Sequence, residues 1–225
     1  MSHRTAILFK KHGSGILTYG QAVNMIYELI AAGNQEMAAE LHGSKNKFRP
    51  FAHARDESDQ SLTVYFSSVF SEITKTFVEG VNKVVGTGMM FGNCLYKIED
   101  VIPLMDPSFW PERLKVKTVS PAVISRNNNG RKEYINYNRN NERPWIEAME
   151  RNLRLRHLTF KGSECSPKVK VIHSGRTIIT EYMGTKIPSM DFTLEVKGER
   201  ELLASVVYAG IGERTGSGFG MVFPV

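Results

Sequence analysis

The chain ends in GIGERTGSGFGMVFPV, residues 210–225, with glycines at 210, 212, 216, 218 and 220. Glycine accepts positive φ and lets another backbone come close, so this density means a phosphate cradle or a tight crossing of chains. The residues after the last glycine decide between folds. A dinucleotide fingerprint needs a helix there, whose N-terminus holds the pyrophosphate. A P-loop needs Gly-Lys-Ser/Thr leading into a helix. Only Met221–Val225 remain, and their β-branched and aromatic residues suit a strand. Both nucleotide-binding readings fall. Two others stand: a structural loop whose glycines let strand and helix pack closely, and a loop that lays its amides and Arg214 against RNA. The second is the stronger expectation.

Upstream of this loop, periodicity predicts two similar halves. Thr5–Lys10 reads as a strand, and Gly20–Ala32 as a helix with Ala22, Val23, Ile26, Leu29 and Ile30 on one face. Gly33 stops it, and Asn34 caps a shorter helix that ends at His42-Gly43. Phe48–Arg55 and Ser61–Ser67 read as strands around the polar turn Asp56–Gln60. An amphipathic helix (Ile73, Phe77, Val78, Val81) and the hairpin Met89–Phe91/Leu95–Ile102 come next. Strand, helix, strand, strand, helix, strand is the ferredoxin-like order.

Pro103–Pro111 reads as a linker. Beyond it, Leu114–Ser125 and Lys132–Tyr137 predict strands around the turn Asn127–Gly130. A helix near Pro144 should bury Trp145, Met149 and Leu153 and turn Arg151, Arg154 and Arg156 outward. Lys168–His173, Thr177–Tyr182 and Asp191–Val196 read as strands, and Glu201–Tyr208 as a short helix or a strand. The expected fold is α+β: tandem ferredoxin-like (RRM-like) domains, 1–108 and 109–225, with a C-terminal glycine-rich loop.

Composition narrows the partner. The 225 residues carry a net charge of +6, yet Trp110–Lys161 alone holds 12 Lys and Arg against 5 Glu, or +7. Tyr134, Tyr137, Asn127–Asn129, Asn138 and Asn140 lie among these cations. Cations for phosphates beside rings and amides for bases make a nucleic-acid surface, although a solvated charged face fits the count equally well. No apolar run is long enough to span a bilayer, and the N-terminus lacks a signal peptide's apolar core, so a cytoplasmic protein is expected. Cys94 and Cys165 form no pair motif. The six histidines show no metal-ligand spacing, so neither a metal nor another cofactor is expected.

The run GIGERTGSGFGMV resembles the C-terminal glycine-rich signature of the CRISPR-associated repeat-cleaving endoribonucleases of the RAMP superfamily. KTVSPAVIS (117–125) resembles their Ser-Pro strand motif. Trp145 with Asn152-Leu153 and the basic residues after them resembles the next helix of that family. ELHGSKNKFRPF (40–51) resembles, more loosely, their histidine-bearing segment. The resemblance spans essentially the whole chain and implies two ferredoxin-like domains and metal-independent RNA cleavage, with RNA as partner. CRISPR effector subunits and a second copy of the chain are further expected partners.

By itself, His42 reads more readily as a helix-end residue bonding the last carbonyls than as an acid–base group. The resemblance assigns it the catalytic position, Tyr27 the orientation of the 2′-OH, and Lys47 (ahead of Lys45 on spacing) the stabilising cation. His12 and His53 are in reserve. RNA binding falls to Lys45, Arg126, Arg131, Lys132, Arg143, Arg151, Arg154 and Arg214, with Gly210, Gly212, Gly216, Gly218 and Gly220. A non-catalytic RAMP-type RNA-binding subunit is the alternative.

Overall fold

The computed structural model describes residues 2–44, 48–182 and 184–225, so Lys45 and Lys47 lie outside the described residues. The first half runs β1 (Arg4–His12), α1 (Tyr19–Gly33), α2 (Gln35–Gly43), β2 (Phe51–Glu57), β3 (Ser61–Ser68), α3 (Ser71–Val84), β4 (Met89–Phe91) and β5 (Cys94–Pro103). Its sheet has the order β2-β3-β1-β5-β4, which is the ferredoxin-like arrangement with β4 added at one edge.

Local chemistry explains the helix limits. Thr18 and Gln21 form a reciprocal capping box at the start of α1. The Asn34 side chain accepts from the Met37 amide at 3.0 Å and starts α2. The helical layer packs on Ile7, Phe9, Phe51, Leu62 and Phe66, all buried. Phe51, Phe66 and Phe77 stack in series at 5.4 and 4.2 Å. Each such ring contributes about 2–3 kcal/mol by leaving water. Ala52 and Ala54 alternate to the opposite face of β2, where they meet Met221 of the second half.

The second half runs β6 (Arg113–Thr118), β7 (Ser125–Asn128), β8 (Arg131–Tyr134), α4 (Glu142–Lys161), β9 (Lys168–Tyr182), β10 (Thr185–Lys197), α5 (Arg200–Ala209) and β11 (Val222–Pro224). The sheet β11-β6-β10-β9 repeats the ferredoxin-like order, and β7-β8 is an inserted hairpin. Both cysteines are buried and free. No helix among the described residues is long and apolar enough to cross a membrane.

Several expectations change here. The strand expected over Leu114–Ser125 ends at Thr118, where Ser120-Pro121 bends the chain toward the glycine loop. The two strands expected over Lys168–Tyr182 are one. Gly175 marks an irregularity against Asp191 rather than a turn, and β9 continues past it as one arm of a long hairpin. Glu201–Tyr208 is helical, with Leu202, Leu203, Val206 and Val207 fully buried. Trp145, Met149 and Leu153 face the core as expected, but Arg156 is 1% exposed and points inward, not outward. The stretch read as a linker is tied down: Asp106 accepts from the His3 amide at 3.1 Å, and Trp110 meets Tyr208 edge-on at 5.8 Å.

Candidate active site

Two helices in sequence bring Tyr27 and His42 together. The Asn34 cap reverses the chain between α1 and α2, and His42 in the last turn of α2 returns beside Tyr27. Their rings meet edge-to-face, with centroids 5.3 Å apart and planes at 89°. His42 is exposed and Tyr27 half-buried. Burial pushes the Tyr27 phenol up, opposed by the charge and a hydrogen bond of Arg49.

Arg49 also does what the sequence left open for His42. Its Nη1 donates to the Ser44 carbonyl at 3.0 Å and its Nη2 to the His42 carbonyl at 3.3 Å. A helix end leaves such carbonyls without partners, so Arg49 caps α2 and leaves the His42 ring free for another task. Sequence reading passed over Arg49, although it sits in the histidine-bearing segment 40–51.

The second half closes the site. A cavity of about 300 Å³ is lined by Tyr27, His42 and Arg49 on one side and by Lys132, Tyr182, Arg214 and Ser217 on the other. Arg214 Nη2 donates to the Tyr134 hydroxyl at 3.1 Å, and its guanidinium lies 5.3 Å from the Tyr182 ring centre. The Ser217 hydroxyl donates to the Tyr182 hydroxyl at 3.2 Å. Tyr182 comes from the far end of β9, so the long hairpin arm reaches the site.

The glycines take the packing role, not that of an amide platform. Gly210, Gly212, Gly216, Gly218 and Gly220 are all buried. A Cβ on Gly212 would stand 2.5 Å from the Val123 carbonyl oxygen, and one on Gly220 only 2.0 Å from that of Ile211. That tightness zips the loop to the Ser-Pro motif. The Glu213 amide donates to the Val123 carbonyl at 2.8 Å, the Gly220 amide to that of Pro121 at 3.0 Å, and the Met221 amide to the Ser120 hydroxyl at 3.1 Å. From this loop the side chains of Arg214 and Ser217 are the ones left partly open.

Buried Arg156 anchors the loop from below, donating to the carbonyls of Ala209, Gly210 and Gly212. Burial pushes its guanidinium down to about 9, with Glu213 opposing, so it stays cationic at neutral pH. No period-based reading marks it, because a helix-face count places a charge outside by default.

The reserve histidines separate from the site. His53 is buried, and desolvation pushes it down to about 4 despite a backbone hydrogen bond at Gly216. It packs under Gly218 of the loop as a neutral ring. His12 is exposed at the end of β1 and does not line the cavity. Among the described residues, no three His, Cys, Asp or Glu side chains gather as a metal site.

Of the basic candidates, Arg126, Lys132 and Arg151 share one groove of about 370 Å³, which meets the active-site cavity at Lys132 and Glu213. Lys132 is paired with Glu213, and Arg126 with Glu133 at 2.9 Å. Arg131 is exposed beside the hairpin turn and Arg154 on α4. Arg143 stands apart on the first turns of α4, paired with Glu147 at 2.8 Å.

A family model of the C-terminal part of the CRISPR-associated protein Cas6 matches residues 104–223. No curated protein matches the sequence. The fold is similar to a Cas6-related protein from Pyrococcus furiosus (TM-score 0.80, 18% identity, 100% of this chain and 99% of that one). It is also similar to a CRISPR-associated Cas6 protein (TM-score 0.75, 21% identity, 100% of both chains). A Thermus thermophilus Cas6 product complex matches as well (TM-score 0.77, 15% identity, 100% of both chains). The terminal glycine segment and the Ser-Pro motif bonded to it both lie within the matched residues, and the chain belongs to the Cas6 family of CRISPR-associated, CRISPR-RNA-processing endoribonucleases.

Proposed function

We propose that the chain cuts CRISPR repeat RNA within precursor transcripts without a metal ion. The ribose 2′-OH gives up its proton to water as its oxygen attacks the adjacent phosphorus and forms the new 2′-O–P bond. The P–O5′ bond breaks, and the leaving oxygen takes a proton. The products carry a 2′,3′-cyclic phosphate and a 5′-OH. His42 is the acid that protonates the 5′ oxygen. Tyr27 hydrogen-bonds the attacking 2′-OH, and Lys47 steadies the charge on the phosphorane oxygens.

The observation that carries this reading is the meeting of the Tyr27 and His42 rings at 5.3 Å on the wall of a cleft whose other wall is cationic. Lys132 and Arg214 line the same cavity as the two side chains, which supports a reading in which they hold the phosphodiester against them. The groove with Arg126 and Arg151 extends the cationic surface for the flanking RNA, and solved structures of similar fold include a Cas6 product complex and a RAMP protein binding different RNA substrates.

The test uses the purified chain, repeat RNA and excess EDTA, with analysis of the product ends. Cleavage should persist and leave cyclic-phosphate ends. His42→Ala should slow it by at least about 10²-fold, the loss expected of a general acid, while RNA binding survives. Tyr27→Phe should cost about threefold to tenfold, one hydrogen bond's worth. Cleavage abolished by EDTA would sink the metal-free mechanism. Binding with no cleavage at all would make the chain an RNA-holding subunit instead.

A further inference from the structure

We infer that Arg49 is a positioning residue through which the glycine-rich loop of the second half sets the orientation of His42 in the first. The inference rests on the proposed role of His42. Three observations carry it. First, Arg49 bridges two carbonyls, of His42 and Ser44, so its fork holds the end of α2 in one orientation. A bidentate fork fixes both distance and direction, as a single donor does not.

Second, Arg49 reaches those carbonyls by running along Gly216. A Cβ on Gly216 would stand 2.7 Å from Arg49 Cγ and 2.9 Å from Arg49 Cβ. These are atoms at the root of the side chain, so the arginine cannot step aside by a rotation of its tip. Gly216 is not among the glycines with positive φ, so its backbone does not require glycine. The requirement is space, and the space is filled by Arg49. Third, the loop is held at that height from three directions. The Thr215 hydroxyl donates to the Phe51 carbonyl at 3.3 Å, Arg156 binds the carbonyls of Ala209, Gly210 and Gly212, and the Ser-Pro motif binds the Gly220 and Glu213 amides. A rigid loop pressed on the root of Arg49, and Arg49 bonded to the carbonyl of His42, form a continuous connection between halves.

The consequence is a division of labour in the glycine motif. Its central glycine leaves room for the residue that aims the acid, and its arginine, Arg214, faces the cleft. A misplacement of about 1 Å costs a reaction up to ~10²-fold even when binding is intact. The signature of positioning is therefore a loss in the chemical step without a loss in affinity.

The experiment measures single-turnover cleavage under saturating protein, and separately the affinity for repeat RNA with a 2′-deoxy nucleotide at the scissile position. Arg49→Lys keeps the charge but not the fork; Gly216→Ala keeps the backbone but not the space. Each should lower the cleavage rate about tenfold or more while affinity stays within about threefold. Because both act through one contact, Gly216→Ala in the Arg49→Ala background should cost less than about threefold further. Thermal melting of each variant separates loss of fold from loss of aim. If Gly216→Ala does not fold, Arg49→Lys and Arg49→Gln, which leave the loop itself unchanged, carry the test. Unchanged rates in folded Arg49→Lys and Gly216→Ala, with His42→Ala inactive, would overturn the inference alone. An active His42→Ala would instead overturn the reading on which it rests. Equal losses in rate and affinity would make Arg49 a direct RNA contact rather than a positioning residue.

Discussion

His42 and His53 lie eleven positions apart and are opposites in environment. His42 is exposed in the cleft, with its carbonyl held by Arg49. His53 is sealed under the glycine loop, its Nε2 buried without a partner. Desolvation sets its folded pKa at about 4 against an ordinary 6.5. The folded state therefore binds its proton more weakly than the unfolded chain does. Its contribution to stability is complete above pH 6.5 and is lost as pH falls through that value to about 4. The difference amounts to something on the order of 3 kcal/mol over that window. Urea midpoints of the native chain should fall between pH 6.5 and 4. His53→Gln, which does not titrate, should lose stability at neutral pH but show a flatter slope across the same window. Parallel slopes for the two proteins would remove His53 from the account. Arg156 makes the complementary point. Its charge is buried, but three carbonyls take its hydrogens, so removing it would orphan acceptors rather than relieve a cost.

At the scale of elements, the β7-β8 hairpin and α4 together frame the basic groove, and their cations differ in freedom. Lys132 and Arg126 are each paired with a glutamate, so a phosphate must compete with Glu213 or Glu133 for them. Arg151 lines the same groove and has no ion-pair partner among the described residues. Arg151→Ala should reduce the slope of log affinity against log salt by about 0.7, the value of one contact to single-stranded phosphate. Arg143→Ala, outside the groove and paired with Glu147, should leave the slope unchanged. Salt titration of repeat-RNA binding reads both, and the reverse order would place the RNA along the start of α4. The Asn129-Gly130 turn has positive φ at both residues, 51° and 81°, which is the geometry a two-residue hairpin requires. That turn was visible in the sequence as Asn-Gly; the separation of its hairpin from the main sheet was not.

At the scale of the molecule, the two halves meet along a continuous seam. His3 stacks on Tyr208 at 4.5 Å, Arg4 lies 4.3 Å over Phe223, and Ala52 and Ala54 pack on Met221. Beyond these, Tyr19 stacks on Phe219 at 4.7 Å. Opening the seam would expose the apolar face of β2 together with the whole glycine loop. Both halves should then unfold in a single transition. Trp110 and Trp145 report the second half, while far-ultraviolet circular dichroism reports both. Coincident urea curves from the two probes are expected. A fluorescence transition that leads or trails the dichroism would show halves that fold independently.

Much of this was legible in the residues. Alternation and helical spacing at Ile7, Phe9, Phe77 and Leu153, the Asn34 cap, and the β-branched and aromatic residues directly after Gly220 are local signals. Local signals dictate element order, and element order here points to one fold. Motif likeness pointed to His42 and Tyr27, and the fold brought them into contact. Other features were decided by tertiary structure alone. The glycines could have faced solvent or protein, since permissive backbone serves either; burial against Val123, Ile211 and Arg49 is a fact of packing. Arg156 turned inward because three loop carbonyls needed a donor, a demand that arises only once residues 53–56 positions apart are adjacent. Arg49 joined the site for the same reason. The sequence by itself determined most of the elements, their order and the glycine motif that follows them. The folded molecule decided that the terminal loop and the candidate catalytic histidine share one cleft, because their contact depends on the docking of two halves that no local pattern encodes.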